Sequence, residues 1–355
     1  MAADGKTTER EAAWQNRVAL AALLRTGIEA ESPMPEVADW PALIALAADE
    51  QLTPTLAALP FWSARSAHIP EPVRDYFDAA LFLNAEREQA MAEALARAMA
   101  ALAPMEPVAL KGAANLIGHL YKAPGARLMG DLDILVADPA RAAACLAESG
   151  FAASDEPPRP WIRLRHHHAP MRHDRSTGAG VELHDRLETI GDPVILAPEI
   201  VRKRAAVHDF AGRPARIPSP TDRLVHAVAH DQISDRGALS GRIAMRLILE
   251  VALLARSEEV DWEAARSAFP PGKWRDAFIR VAALAHAWFD APVPACFQRE
   301  AEAATLWLRR RRSRPARALA IAAHRAAGLL RTQPLALVNL LNPAWTKARI
   351  RAFLR

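Results

Sequence analysis

The hydrophobic and polar positions of this chain follow a helical period near its beginning. Between residues 85 and 102, apolar side chains recur at steps of three and four positions, which is typical of one face of a helix. These side chains are Met91, Leu95, Met99 and Leu102. Prolines follow at positions 104 and 107, and helices usually end before a proline. We therefore predict a helical region over residues 1–104.

The period shortens between residues 105 and 218, where short apolar runs predict strands. These runs cover residues 108–110, 131–136, 162–167, 180–184, 206–210 and 213–217. The last two are joined by Ala211-Gly212 and are predicted to form a hairpin. Helices are predicted over residues 112–121 and, after the capping residue Asp138, from Pro139 to about residue 150. This order of elements predicts an α+β fold, a sheet with helices on one face.

The helical period returns from residue 219 to the end of the chain. A helix is predicted to start at Ser219-Pro220, and another covers residues 241–255. Basic helical segments are predicted from about residue 301 to residue 355. We therefore predict an N-terminal helical region (1–104), a central core (105–218) and a C-terminal helical region with a basic tail (219–355).

The composition is that of a globular protein. Of the 355 residues, 51% are hydrophobic and 24% are charged, which allows two or three packed units. The polar first residues lack the apolar stretch of a secretory signal, and no run of about 18 apolar residues predicts a transmembrane segment. Cys145 and Cys296 lie far apart and are predicted to be buried thiols of a reducing compartment. We therefore expect a cytoplasmic protein.

Positive charge is concentrated at the C-terminal end. The net charge is +4, but residues 301–355 contain 12 Lys and Arg residues and a single acid, Glu302, which gives +11. The preceding residues therefore sum to −7. Such a basic tail could bind an acidic partner, a membrane surface or RNA, or it could be a solvated helix face.

Two aspartates on one predicted strand are the sharpest chemical feature of the sequence. Asp131 and Asp133 are two positions apart in the run GDLDILV, so both side chains point to one face of the strand. At a rise of about 3.3 Å per residue, their Cα atoms lie roughly 7 Å apart, and both carboxylates can reach one cation. Two acids so close repel each other unless a cation or donors compensate, and carboxylate oxygens suit Mg²⁺. The alternative is a strand edge with two solvated aspartates.

Other polar residues of the central core could complete such a site. Lys111 and Gly112 stand at a strand-to-helix turn, where a glycine lets backbone N–H groups approach a phosphate. Arg127 could clamp a phosphate or brace Asp131. A later predicted strand carries Glu182 and His184 on one face, where the histidine could orient the acid or contact a substrate.

Further histidines are weaker candidates. His166 and His168 share one face of a predicted strand and could line a substrate, while metal binding there is disfavoured because neighbours on a strand point apart. His226 and His230 have a helical spacing that can bind a metal. We interpret these two as core or pocket-wall residues.

Three segments taken in order, LKGAANLIGHLY, RLMGDLDILV and VELH, carry a resemblance to a known family. They resemble the nucleotidyltransferases of the polymerase-β superfamily, and more narrowly the stand-alone bacterial group usually labelled an uncharacterised nucleotidyltransferase family. The resemblance covers roughly residues 83–255. It implies a polymerase-β-type core with a mixed sheet, flanked by the two helical regions. It also implies that the acids Asp131, Asp133 and Glu182 are catalytic residues that hold two Mg²⁺ ions against a nucleoside triphosphate (NTP).

The resemblance further implies nucleotide contacts at the strand-to-helix turn. Gly112 would match the glycine that supports the triphosphate. The superfamily often has a serine or a second glycine next, whereas this chain has Ala113, so the hydroxyl contact to phosphate is absent. The backbone amides of the turn as far as Ala113, together with Lys111 or Arg127, would then bind the phosphates.

The activity implied by the resemblance is Mg²⁺-dependent transfer of a nucleoside monophosphate from an NTP to a hydroxyl or phosphate acceptor. The acceptor would be a small molecule, a sugar or a peptide, in the tailoring of peptides or polysaccharides. Two alternatives stay open. The alanine at position 113 favours a catalytically inactive module that binds a nucleotide or a partner. The basic tail would suit a toxin-like nucleotidyltransferase that acts on RNA or on a protein.

Overall fold

The fold is that of a computed structural model, which describes residues 2–28, 35–59, 69–153, 171–189 and 192–310. Two predictions therefore lie outside the described residues. One is the strand over residues 162–167, with His166 and His168. The other is the basic tail beyond residue 310.

Four helices precede the sheet, and a short 3₁₀ turn follows them. They are α1 (Ala2–Ile28), α2 (Trp40–Asp49), α3 (Thr53–Ala57) and α4 (Glu71–Leu102), with the turn at Ala103–Met105. The apolar stripe predicted near the end of α4 is buried, as its spacing requires. The helix starts earlier than its stripe indicates, because Pro72 is well suited to a first helical turn.

Seven strands form one sheet. They are β1 (Val108–Ala109), β2 (Leu132–Leu135), β3 (Phe151–Ala153), β4 (Arg172–Asp174), β5 (Gly180–His184), β6 (Ala206–Phe210) and β7 (Arg213–Ile217). Their order is β3-β4-β5-β2-β1-β7-β6. The pairs β2–β5 and β1–β7 are parallel and the other pairs are antiparallel. The sheet is therefore mixed, and β6 and β7 form the predicted hairpin.

Three helices connect the strands: α5 (Lys111–Ile117), α6 (Pro139–Glu148) and α7 (Pro198–Arg204). The side chain of Asp138 caps α6 by accepting a 3.0 Å hydrogen bond from the backbone N–H of Arg141, as predicted. Helix α5 ends before the predicted residue 121. Gly118 caps the end of the helix, and His119 then has a positive φ of 50°. A right-handed helix cannot continue through this left-handed conformation.

The remaining helices follow the sheet. They are α8 (Pro220–Ala229), a π-helical turn (His230–Ser234), α9 (Gly237–Ser240), α10 (Met245–Ser257), α11 (Trp262–Ala268), α12 (Lys273–Phe289), α13 (Ala295–Gln298) and α14 (Ala301–Arg309). Ser219 caps α8 through the N–H of Asp222 at 3.2 Å, as its sequence predicts. Helix α10 begins later than the predicted residue 241, since Gly241 adopts a left-handed conformation with φ 71°.

The sheet is packed on both faces, so the prediction of helices on one face only is wrong. Adjacent strand residues point to opposite sides, and Ile134 and Leu135 of β2 belong to two different apolar clusters. Ile134 packs with the end of α4 and with α6, while Leu135 belongs to a cluster that also contains residues of α1–α3 and of α8–α14. The described helices before and after the sheet therefore share one core. The division into three domains stays a prediction.

A buried ion pair joins α1 to the start of α10. Arg17 lies 2.6 Å from the carboxylate of Glu50 and donates a second hydrogen bond to the carbonyl oxygen of Ile243. The other carboxylate oxygen of Glu50 accepts from the N–H of Met245 at 2.7 Å. Buried charges are stable only when paired and hydrogen-bonded in this way. The contact fixes the first turn of α10 relative to the N-terminal helices.

Within the described residues, no helix is both long and apolar enough to cross a membrane. The two cysteines are unpaired, Cys145 is half-buried and Cys296 is exposed. The prediction of a buried thiol is therefore wrong for Cys296, which lies exposed on the short helix α13.

Candidate active site

A cleft of about 580 Å³ opens at the edge of the sheet where β2 and β5 pair. Its sheet side is lined by Lys111, Gly112, Asp131, Asp133 and Glu182, and Arg127 lies beside them. Six residues that the sequence predicts for the site therefore line one cavity. Strand register explains this, because Asp133 of β2 lies directly opposite Glu182 of the parallel strand β5.

Asp133 is the most enclosed acid of the cleft. It is 2% exposed, and its Oδ1 atom contacts two side chains. Nζ of Lys111 donates to Oδ1 at 2.7 Å, and Nε2 of His184 lies 2.8 Å from the same atom. Lys111 is the first residue of helix α5 and has a positive φ of 46°, at the tight turn that follows β1. The aspartate is thus held as a carboxylate between two donors.

These contacts control protonation in the cleft. Burial would raise the pKa of Asp133, but the charge of Lys111 and the hydrogen bond from His184 outweigh it and hold the pKa well below the usual range. Burial would likewise lower the pKa of Lys111, but the nearby carboxylate of Asp133, with those of Asp131 and Glu182, raises it. At neutral pH the pair is therefore an ammonium and a carboxylate.

Acidic and imidazole groups converge beside this pair. Ligand atoms of Asp133, Glu182 and His184 lie within 4.8 Å of one another. Nε2 of His184 cannot donate to Asp133 and bind a cation at the same time, so we interpret His184 as positioning the aspartate. Asp131 is half-buried and lines the same cleft, although it is not a member of this close group. The three carboxylates on the sheet side of the cleft suit a hard divalent cation such as Mg²⁺.

Arg127 reaches the cleft from a buried ion pair. Its Nε atom donates to Glu250 of α10 at 2.9 Å, and the hydroxyl of Tyr121 lies 3.3 Å from the same carboxylate. Burial would raise the pKa of Glu250, but the guanidinium of Arg127 lowers it below its ordinary value. Much of the charge of Arg127 is therefore neutralised inside the protein by Glu250.

Gly112 is needed for the packing of Arg127. A Cβ atom at position 112 would lie 2.5 Å from Nη1 of Arg127 and 3.0 Å from Sδ of Met129. Because Arg127 is fixed by Glu250, it cannot move away cheaply. Gly112→Ala is therefore expected to lower the free energy of unfolding by about 1–3 kcal/mol, measured by urea denaturation.

Gly130→Ala is the matched control for that substitution, since Gly130 lines the same cleft and a Cβ there would meet nothing within 4 Å. The control should unfold at nearly the wild-type urea concentration. Equal stability of the two variants would show that the close approach of Arg127 to Gly112 is unimportant.

Ala113 faces the core and not the cleft. It is fully buried in the apolar cluster that contains Ile134 and the end of α4. A hydroxyl at this position would point into apolar side chains, so the alanine removes no donor from the cleft in this fold. Only the backbone of Ala113 remains available for the predicted nucleotide contact.

The opposite wall of the cleft was not predicted. It is formed by His230, Ser234, Asp235, Arg236 and Arg246, with Gln51 from the turn after α2. Several of these residues lie in or next to the π-helical turn, a feature common at functional sites. The regular spacing of apolar residues carries no signal for such a turn. Their place opposite β2 and β5 depends on how separate parts of the chain fold together.

Arg246 differs from the other cations of the cleft. Lys111 is paired with Asp133, Arg127 with Glu250 and Arg236 with Asp192. Among the described residues, the contact of the Arg246 guanidinium is with the neutral side chain of Gln51. The carboxylates of Glu250 and Asp235 interact with its charge, but no described carboxylate forms an ion pair with it, so the guanidinium can still contact an anion in the cleft.

A smaller chamber of about 130 Å³ lies behind Lys111. It is lined in part by His226 and His230, which were interpreted as core or pocket-wall residues. Burial, together with the charge of Lys111, lowers the pKa of His226 to about 3, so this imidazole is neutral at physiological pH. The rings of the two histidines are 6.3 Å apart and pack edge to face.

The family comparison agrees with this geometry. A family model described as an uncharacterised nucleotidyltransferase matches residues 36–290, more than two thirds of the chain. The matched part includes both walls of the cleft. No match was found among curated proteins or among solved structures.

Proposed function

Because this chain belongs to the uncharacterised nucleotidyltransferase family, we propose that it transfers a nucleoside monophosphate from an NTP to a hydroxyl or phosphate acceptor, using Mg²⁺. The observation that carries this proposal is the pairing of Asp133 with Glu182 across parallel strands in a cleft that Asp131 also lines. The three acids together carry more negative charge than the single ammonium of Lys111 compensates, and Mg²⁺ binds phosphate and carboxylate oxygens together.

In the proposed site, Asp131, Asp133 and Glu182 would hold Mg²⁺, and the resemblance implies two such ions. Bound Mg²⁺ would neutralise charge on the phosphates and help to ionise the acceptor hydroxyl. His184 keeps the carboxylate of Asp133 in place through its 2.8 Å contact. The protein's main contributions are therefore positioning and charge compensation, as in other phosphoryl transfers.

The proposed reaction is an in-line displacement at the α-phosphorus. The acceptor oxygen forms a bond to the α-phosphorus, the bond to the bridging oxygen of the β-phosphate breaks, and pyrophosphate leaves. The acceptor's proton passes to Glu182 or to water. Glu182 is suited to this step because its side chain is 15% exposed and faces the cleft.

Phosphate binding is proposed for the residues around the strand-to-helix turn and for the opposite wall. Lys111 and the backbone next to Gly112 would contact the triphosphate from the sheet side. Arg246 would contact it from α10, since the side chain that its guanidinium contacts directly is the neutral Gln51, while the carboxylates of Glu250 and Asp235 act on it only through their charge. Arg127 would act mainly through its close approach to Gly112.

Arg246→Gln is expected to weaken NTP binding about 10- to 100-fold, because a hydrogen bond to a charged group contributes about 1.5–3 kcal/mol. Isothermal titration calorimetry with a non-hydrolysable NTP and Mg²⁺ measures this change. Arg141→Gln, on the exposed surface of α6, is the control and should bind like the wild type. Unchanged affinity of Arg246→Gln would remove Arg246 from the nucleotide site.

The experiment that tests the proposed function uses the full chain, Mg²⁺ and each labelled NTP in turn. Pyrophosphate release and a labelled adduct in a cell extract are expected from the wild type. An Asp131→Ala variant should release none. Absence of both products for every NTP, together with absence of NTP binding at millimolar concentration, would contradict the proposal.

The acceptor is proposed to be a small molecule, a sugar or a peptide. The helices around the cleft would form its pocket, because the cleft walls come from both helical regions. A toxin-like action on RNA or a protein rests on the basic tail, most of which lies outside the described residues. A labelled adduct that is destroyed by ribonuclease would favour RNA, and one destroyed by protease would favour a protein.

A further inference from the structure

Two side chains contact the same carboxylate oxygen of Asp133, an acid proposed to hold the metal. Oδ1 of Asp133 lies 2.7 Å from Nζ of Lys111 and 2.8 Å from Nε2 of His184. The aspartate is 2% exposed, so water has little access to this atom. A carboxylate oxygen that already accepts from an ammonium is a poorer ligand for a second cation.

The ammonium group also opposes a metal ion through its charge. Like charges a few ångströms apart repel strongly in a partly buried site, whichever carboxylate oxygen the ion contacts. The charge of Lys111 is attracted by Asp131 and Glu182 as well as by Asp133. Lys111 therefore stands where a metal would compensate the three acids.

Lys111 has the freedom to leave this position. Its side chain is 24% exposed, it lines the cleft, and its flexible four-carbon chain carries a compact charge. By contrast, the guanidinium of Arg127 is fixed by Glu250 inside the protein. Phosphates that enter the cleft would offer Lys111 a new anionic partner while a metal takes over the acids.

We propose that Lys111 acts as a substitute cation which exchanges the carboxylate of Asp133 for the phosphates of the nucleotide. Metal binding is then weak without nucleotide and strong with it, since the nucleotide draws the ammonium away from the metal ligands. This inference rests on the proposed function. It adds that the metal and the nucleotide bind cooperatively, and that one lysine couples them.

The test is the affinity for Mn²⁺, used as a spectroscopic substitute for Mg²⁺, in the absence of nucleotide. Electron paramagnetic resonance measures the concentration of free Mn²⁺ during a titration of the full-length wild type and of the Lys111→Met variant. The variant is expected to bind Mn²⁺ about tenfold more tightly, within the range usual for coupled sites. A non-hydrolysable NTP should then strengthen Mn²⁺ binding less in the variant than in the wild type.

Two further variants control for charge and folding. Lys122→Met removes an exposed lysine that does not line the cleft and should leave Mn²⁺ binding unchanged. Lys111→Gln keeps a donor for Asp133 without the charge and should tighten Mn²⁺ binding in the same direction as Lys111→Met. It serves as the decisive variant if methionine at this position prevents folding.

The outcomes separate this inference from the proposed function. The wild type could bind Mn²⁺ and NTP and release pyrophosphate while neither Lys111 variant binds Mn²⁺ more tightly. In that case the proposal that Lys111 takes the place of the metal is wrong, and the proposed transferase function is unaffected. If the wild type binds neither Mn²⁺ nor NTP, both fail. Tighter binding in both variants with reduced coupling to the nucleotide supports the inference.

Discussion

Asp133→Asn is expected to reduce the rate of nucleotidyl transfer by on the order of 10³-fold or more. Asp133 lies between Lys111 and His184 and opposite Glu182, so the proposed metal would lose its most enclosed ligand. A metal contributes several kcal/mol to such a reaction, and each 1.36 kcal/mol corresponds to a factor of ten in rate. Pyrophosphate release with a saturating NTP measures the loss.

A surface aspartate close by provides the control for Asp133→Asn. Asp185 follows β5 directly, is 45% exposed at its side chain and pairs with Arg186 on the surface. Asp185→Asn should transfer at the wild-type rate. The thermal unfolding of both variants must also be followed, because Lys111 loses the partner of a buried pair in Asp133→Asn. A folded Asp133→Asn enzyme that retains activity would contradict the metal site.

Glu250→Gln is expected to lower the free energy of unfolding by about 3–5 kcal/mol, because it leaves the buried guanidinium of Arg127 without a charged partner. Both residues are less than 10% exposed, and Nε of Arg127 lies 2.9 Å from the carboxylate. The substitution also weakens the contact with Tyr121. Urea denaturation of the variant and the wild type measures the difference.

An exposed ion pair is the control for Glu250→Gln. Glu263 pairs with Arg266 at 2.9 Å on the surface of α11, and Glu263→Gln should change stability little or not at all. The pKa of Glu250 is held below its ordinary value of 4.5, so its contribution is present above that pH and lost as pH falls. The difference between wild type and Glu250→Gln should therefore shrink in acid. A difference that grows in acid would exclude this ion pair as its cause.

The sheet side of the cleft could be predicted because its evidence is local. Asp131 and Asp133 are two residues apart on a strand, and so are Glu182 and His184, so their alternation is visible in the sequence. The parallel pairing of β2 with β5 then brings the two groups together. The strands β3 and β4 were missed because each covers three residues that contain no β-branched residue and show no alternation.

The other side of the cleft could not be predicted because its evidence is not local. Arg246 meets Gln51, a residue 195 positions away, and nothing in either segment indicates the other. The same holds for Arg127, whose partner Glu250 lies on a distant helix. The importance given to Ala113 was misplaced for a related reason. The sequence places it next to Gly112, but one step along a helix rotates a side chain by about 100° from the cleft toward the core.

The ion pair between Arg17 and Glu50 has a practical consequence for anyone who shortens this chain. The family match begins at residue 36, so a fragment cut at that boundary keeps Glu50 and loses Arg17. The carboxylate of Glu50 would then lack its cationic partner, although it accepts the hydrogen bond from the N–H of Met245, the residue next to Arg246. A minimal domain chosen by homology alone would thus loosen one wall of the cleft without touching it, and a loss of activity in such a fragment would say nothing about the chemistry of the acids.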